Sequence, residues 1–292
     1  MKISGIAAAL ADLLEGQGNL GAAYEVYEEA FFELKDSQDY NQFSGPDKMR
    51  TIALAQKSAE IAQAIGEKDL INTAEERLGW AVTELLRLAA PNRATTEEKQ
   101  AQTALGDKDL DLPSWISVTD LGASLENLGS FYLKQGNTEY VNCLFGLVLP
   151  TQKLCSYATP LFNASLKLLL RNPSLSERCH AGTIANNMSS SFALQPTKDN
   201  LNNASQWAQN AMHITKHAIS EAEKTGKQEE VVECKPCLAV AIFNYGLVNE
   251  MQGNREIAME QFVSALAKSQ EIRFVEGSRQ ALLAMQRLKE RS

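Results

Sequence analysis

The chain has 292 residues, with 28 Lys and Arg against 36 Asp and Glu, giving a formal net charge of −8. Apolar residues make up 44% and charged residues 22%, a mixture that can bury a core and excludes a disordered chain. The acidic balance weighs against broad nucleic-acid binding, which needs a basic face to displace counterions. Gly and Pro (17 and 8) are too scarce for collagen or a turn-rich β fold.

At the N-terminus a short apolar run is followed by Asp12 and Glu15 with no cleavage-like site, so it reads as a folded helix and not a signal peptide. The most apolar stretches, Tyr140–Gln152 and Pro236–Asn249, are shorter than the ~20 residues of a bilayer-spanning helix, so no span is expected. Gln-Gly-Asn then occurs three times, at Gln17–Asn19, Gln135–Asn137 and Gln252–Asn254. Each copy separates two runs of helical periodicity. Ahead of it stand Leu10, Ala11 and Leu14, or Leu128, Gly129 and Tyr132, or Tyr245, Gly246 and Asn249. After it come Ala23, Tyr27 and Ala30, or Val141, Phe145 and Val148, or Ala258, Phe262 and Ala265.

Residues three and four apart share a helix face, and small ones let a neighbouring helix approach. The glycine supplies a left-handed C-cap and Asn tolerates the turn. Two weaker copies turn at Gly66 and at Gln195-Pro196. The pattern predicts hairpins over 4–34, 49–90, 116–151, 180–216 and 234–270, a capping helix over 274–291, and extra elements over 91–113 and 154–170. A short helix is expected over Thr96–Leu105. No β alternation is long enough to defend. The expected fold is all-α, one right-handed α-solenoid spanning the whole chain. The run Leu125–Asn137 resembles the first helix of a tetratricopeptide (TPR) repeat closely, although the turns lie farther apart than the about 34 residues of a standard repeat.

Nothing in the chain has the form of a nucleotide-binding loop, a Gly-x-Ser-x-Gly elbow or a catalytic carboxylate pair; Glu75-Glu76 and Glu229-Glu230 read as solvated helix surface. No enzyme activity and no cofactor are expected. The five cysteines are odd in number and scattered, which is no disulfide scaffold, and they read mainly as small buried hydrophobes. His213, His217, Cys234 and Cys237 leave three readings open: a metal site, a dithiol or disulfide at Cys234 and Cys237, or plain packing. Packing is the reading adopted, with no metal expected. His180, beside Cys179, is given a structural role.

The first helix of each pair lines the groove of such an array. Projecting that face gives Asp12 and Glu15, then Gln56, Glu60 and Gln63. Next come Glu126, Ser130, Leu133 and Lys134, then Asn186, Ser190 and Ala193, with Asn187 beside Asn186 as a second backbone anchor, and last Phe243, Leu247, Glu250 and Met251. Only Lys134 is cationic, so a clamp for a terminal carboxylate is absent. An acidic start, an Asn/Ser middle and an apolar end suit an extended segment or helix of hydrophobic and basic character.

Leu112-Pro-Ser-Trp115, Thr119–Val141, Asn186–Gln195 and Leu238–Asn254 carry a more specific resemblance. In that order they resemble the TPR-bearing adaptor subunit of the fungal mitochondrial inner-membrane i-AAA protease, which is similar in turn to the animal mitochondrial TPR protein linked to respiratory complex III. The resemblance implies a non-catalytic adaptor that presents unfolded membrane-protein substrates to the protease. Its partners would be the AAA protease subunit, the other adaptor subunit and unfolded proteins, not nucleic acid. It implies a domain in the intermembrane space, anchored in the inner membrane upstream of this chain. The alternative is an assembly factor that holds one defined respiratory-complex partner.

Overall fold

The computed structural model describes residues 2–89, 112–144, 152–170 and 173–290, with side chains over 5–89, 112–136, 158–170 and 173–290. All regular structure among these residues is helical: α1 (Lys2–Gly16), α2 (Leu20–Lys35), α3 (Gly45–Ile65), α4 (Lys68–Ala89), α5 (Val118–Leu144), α6 (Gln152–Leu169), α7 (Leu175–Ala193), α8 (Lys198–Thr225), α9 (Cys234–Met251), α10 (Arg255–Glu271) and α11 (Val275–Glu290). Two short 3₁₀ turns lie at Tyr40–Gln42 and Gln228–Val231. The fold is an all-α solenoid of helical hairpins. Its contacts fall into two units, Met1–Leu128 and Gly129–Ser292.

Three of the four glycine turns are where periodicity puts them. Gly18, Gly66 and Gly253 have φ of 78°, 79° and 82°, the left-handed conformation that ends a helix without a Cβ clash. Asn19 then caps α2 by accepting from the Ala22 amide, and Pro196 and Thr197 separate α7 from α8. The second Gln-Gly-Asn differs. Gly136 is buried inside α5, which continues to Leu144, so the expected turn is absent. The third hairpin is instead α5 with α6, and the stretch 154–170 expected as an extra element is its second helix. Of the second helix expected after Gly136, Val141 belongs to α5, while Phe145 and Val148 lie outside the described residues. So does most of the 91–113 excursion, with its Thr96–Leu105 helix.

The first unit packs α1 on α2, α2 on α3 and α3 on α4. Its core holds Tyr27, Phe31, Ile52, Ile61, Leu85 and Leu121, all nearly fully buried. Phe31 meets Trp80 edge-on at 5.0 Å. Arg77 lies 4.7 Å from the Phe32 ring centroid and grips Glu28 with two bonds of 3.0 and 2.8 Å. Trp115, from the Leu112–Trp115 run, seats on Gly45 so closely that a Cβ there would lie 2.2 Å from the indole.

The second unit packs α6 on α7, then α7, α8, α9, α10 and α11 each on the next, with α7 also on α9. The small residue of the helix template is its key. A Cβ at Gly129 would come 2.9 Å from Phe162, and one at Gly246 would come 2.7 Å from Phe262. In both hairpins a phenylalanine of the second helix fills the space the first helix leaves open. In α7 the same position is Ser189, whose hydroxyl donates to the Ala204 carbonyl of α8 at 2.8 Å. The segment Gln228–Met251 is long and apolar enough to cross a membrane. Much of its apolar character is accounted for by burial, since Cys234, Leu238, Ala241, Ile242 and Val248 all lie in the core.

Candidate functional site

The helices α7 and α9 run side by side, and each keeps a partly open face that carries residues of the predicted site. Ala185, Ala211 and Ala241 are fully buried beneath them, and with no bulk beyond Cβ they let the helices approach closely. Above this floor the contact is polar. Asn244 donates from Nδ2 to Asn186 Oδ1 at 3.0 Å and to Ser190 Oγ at 3.3 Å, and Ser190 donates to the Asn186 carbonyl at 3.3 Å. Asn186 is buried, while Asn187, Ser190 and Asn244 are half-buried. Each Asn carries both donors and acceptors, so a half-buried row of them can pair with an extended backbone.

The apolar end of the predicted site divides between core and surface. Phe243 packs on Leu238, Ile242 and Ala265 and also on Phe262, whose ring centroid is 5.4 Å away. Leu247 packs against Ala258, Phe262, Ala284 and Leu288, though both side chains stay partly open. Met251, 46% exposed, is the openly presented apolar group. Glu250 is held by Arg287 of α11 through bonds of 2.9 and 2.5 Å, so it ties the last helix to α9. Ser130 is half-buried and Lys134 exposed, both on α5. Glu126 is half-buried on the same helix but belongs to the first unit.

On α9 the projected set holds Phe243, which packs toward α10, while its neighbour Asn244 meets α7, and the reason is geometric. Gly246 occupies the close-packed position that Ser189 occupies in α7, so Phe243 matches Asn186 and Asn244 matches Asn187. A step of one residue turns the side chain by about 100°, enough to swing it from α7 toward α10. Asn244 was therefore missed. The row Val240, Asn244, Leu247 and Met251, read from Gly246 as the fixed point, would have found it. Arg287 was missed for another reason: its role comes from α11 folding back on α9, which no local pattern encodes.

In the first unit the acidic row is already partnered. Tyr27 donates to Asp12 at 2.5 Å, and burial together with that carboxylate pushes the phenol's pKa upward. Lys57 bridges Glu15 and Glu60, each at 3.1 Å. Gln56 donates to Ser124 Oγ at 2.6 Å.

The cysteine reading needs correction. Cys234 does not pair with Cys237; it forms a disulfide with Cys179, 55 residues away, joining the second turn of α7 to the first residue of α9. Cys234 sulfur is thus unavailable to a metal, and His213 and His217 are exposed on α8, with His217 Nδ1 3.7 Å from Glu221. Among the described residues no group of three or more His, Cys, Asp or Glu is placed to hold a metal ion. No sequence rule signals this bridge, because its halves lie in helices that become neighbours only when the hairpins stack.

No protein-family model matches the chain. A TPR repeat-containing protein of Schizosaccharomyces pombe is 25% identical over 133 residues, which is 46% of this chain and 36% of that relative's length. Two solved structures align over most of the chain. A circular tandem repeat protein is 11% identical with a TM-score of 0.32, covering 99% of this chain and 76% of its own. The nuclear import adaptor Nro1, a hypoxic regulator of sterol synthesis, is 13% identical with a TM-score of 0.36, covering 94% and 91%. Likeness of that degree decides nothing about this chain. The stacked hairpins, with their paired Gly–Phe crossings, make this an all-α helical-repeat protein that is similar over part of its length to a TPR repeat-containing relative.

Proposed function

We propose that this chain is a non-catalytic adaptor that binds polypeptides and presents unfolded membrane-protein segments to the mitochondrial i-AAA protease from the intermembrane-space side. The observation that carries the binding part is the α7–α9 face, where Asn187, Ser190 and Asn244 lie beside Leu247 and Met251. Amide and hydroxyl groups offer backbone pairing, and the thioether adapts to varied apolar side chains. The protease part rests on the sequence resemblance of Leu112–Trp115, Thr119–Val141, Asn186–Gln195 and Leu238–Asn254. The Cys179–Cys234 bridge is in keeping with an oxidising compartment. In that reading Ser130 and Lys134 extend the client surface on α5 within the second unit, and the partners are the protease subunit, its other adaptor and unfolded chains.

Competition binding tests the adaptor reading. Denatured membrane-protein segments should displace a labelled unfolded client at least tenfold better than the same proteins folded. Capture from mitochondrial extract should bring down the AAA protease. A single tight native partner, with no preference for denatured chains, would instead establish the assembly-factor reading.

A further inference from the structure

Three cysteines lie together in the second unit, at the same end of α7 and α9. Cys179 and Cys234 are bridged, with Cα atoms 4.7 Å apart and almost no exposure. Cys237 is one helical turn beyond Cys234, lies outside the bridge and is 9% exposed. Its sulfur faces Gly182, one turn beyond Cys179, where a Cβ would lie 3.4 Å from Cys237 Sγ. Two cysteines three apart in a helix have Cα atoms about 5 Å apart, within the range that a disulfide spans. Cys234 and Cys237 stand in the first turn of α9, on either side of Pro236.

We propose that Cys179, Cys234 and Cys237 form a thiol–disulfide exchange site that switches the tie between α7 and α9. The bridge is first made by a disulfide donor, a protein or small-molecule disulfide, which accepts the two electrons and two protons of Cys179 and Cys234 and becomes a dithiol. In the exchange, the Cys237 thiol gives up its proton and the thiolate attacks Cys234 Sγ. The Cys234–Cys237 bond forms, the Cys179–Cys234 bond breaks, and Cys179 leaves as a thiolate that takes up a proton. No external oxidant enters this second step. Burial of Cys179 and Cys234 slows attack on the bridge by outside thiols in the packed chain, while the exchange needs only motion within one turn of α9. The result frees the start of α7, where Leu175 and Cys179 pack on Ala218, Ala222 and Val231. The inference goes beyond the adaptor reading and stands without it.

Disulfide mapping by non-reducing proteolysis and mass spectrometry, after trapping thiols at acid pH, tests the site on the full chain. In a glutathione redox buffer the wild-type protein should partition between Cys179–Cys234 and Cys234–Cys237, and the Cys179→Ser variant should form Cys234–Cys237. A Cys179→Ser protein with two thiols or only glutathione adducts at these positions would overturn the proposal. Should that variant not fold, the wild type still decides. With no added thiol, Cys234–Cys237 should accumulate about tenfold faster per pH unit between pH 6 and 7, and never in Cys237→Ser. Amide exchange in the first two turns of α7 should speed up at least tenfold in the rearranged form. Retention of the original bridge alone across that pH range, or unchanged protection of α7, would refute the switch.

Discussion

Gly129 and Gly246 show how one absent side chain fixes a helix crossing. Each leaves room for a phenylalanine that is essentially fully buried, Phe162 or Phe262. Leucine at either site would drive its Cβ to within 3 Å of that ring. Overpacking of this kind costs roughly 1–3 kcal/mol, so Gly129→Leu and Gly246→Leu should each lower the melting temperature by several degrees in thermal circular dichroism. An unchanged midpoint would mean that the crossing yields without cost. A second residue-scale test concerns Glu84. Burial alone would raise its carboxyl, but bonds of 2.7 and 2.6 Å from Arg87 and 2.9 Å from Tyr40 hold it below the usual carboxylate range. A group depressed in the folded state stabilises above its unfolded pKa, near 4, and loses that contribution as pH falls through the folded value. The wild type should therefore lose melting temperature more steeply than Glu84→Gln as pH drops from about 5 to 3. Parallel curves would show that the contact carries no net linkage.

Helix boundaries follow local chemistry until stacking overrides it. Gly253, at φ 82°, has open space around it, and only its left-handed backbone demands glycine. Gly253→Ala should cost about 1 kcal/mol through that strain, read as a shift of a few degrees in the midpoint, whereas Gly21→Ala in α2, also in open space, should not destabilise. The three true turns were legible because a helix stop and a new periodic run coincide there, with an Asn directly after Gly18 and Gly253. Gly136 carries the same tripeptide and fails. What differs is the downstream partner: Phe162 fills the space at Gly129, and α5 runs on beyond the tripeptide. The apolar and Asn/Ser character of α7 and α9 was likewise legible, yet the side of the wheel was not, since Phe243 and Asn244 differ by a single step. That step shapes the binding test. Phe243→Ala should cost stability, because its ring packs on Phe262. Asn187→Ala with Met251→Ala should keep the helical signal and weaken an unfolded client about tenfold by calorimetry, on the order of 1–2 kcal/mol. Unchanged affinity in that double variant would place the client elsewhere.

At the scale of the whole molecule the governing quantity is the net charge of −8, spread over helices whose acidic groups are in several cases already paired. Lys57 spans Glu15 and Glu60, Arg77 grips Glu28, and Arg287 holds Glu250, so these carboxylates serve hairpin stacking before they serve a partner. What remains is a long-range negative field and not a set of fitted ion pairs. Such a field raises the encounter rate of basic partners and leaves their residence time to the local apolar and amide contacts. The screening length falls from about 14 Å at 50 mM salt to roughly 4 Å at 500 mM, which removes the field but not the contacts. For a basic, apolar unfolded client the association rate should therefore fall severalfold across that range in stopped-flow fluorescence, with the dissociation rate changing less than twofold. A client of the same apolar sequence with its Lys and Arg replaced by Gln should associate slowly and without salt dependence. If salt instead speeds dissociation of the basic client and leaves association untouched, specific ion pairs hold it, and the amide and Met251 surface of α7 and α9 is not what retains the chain.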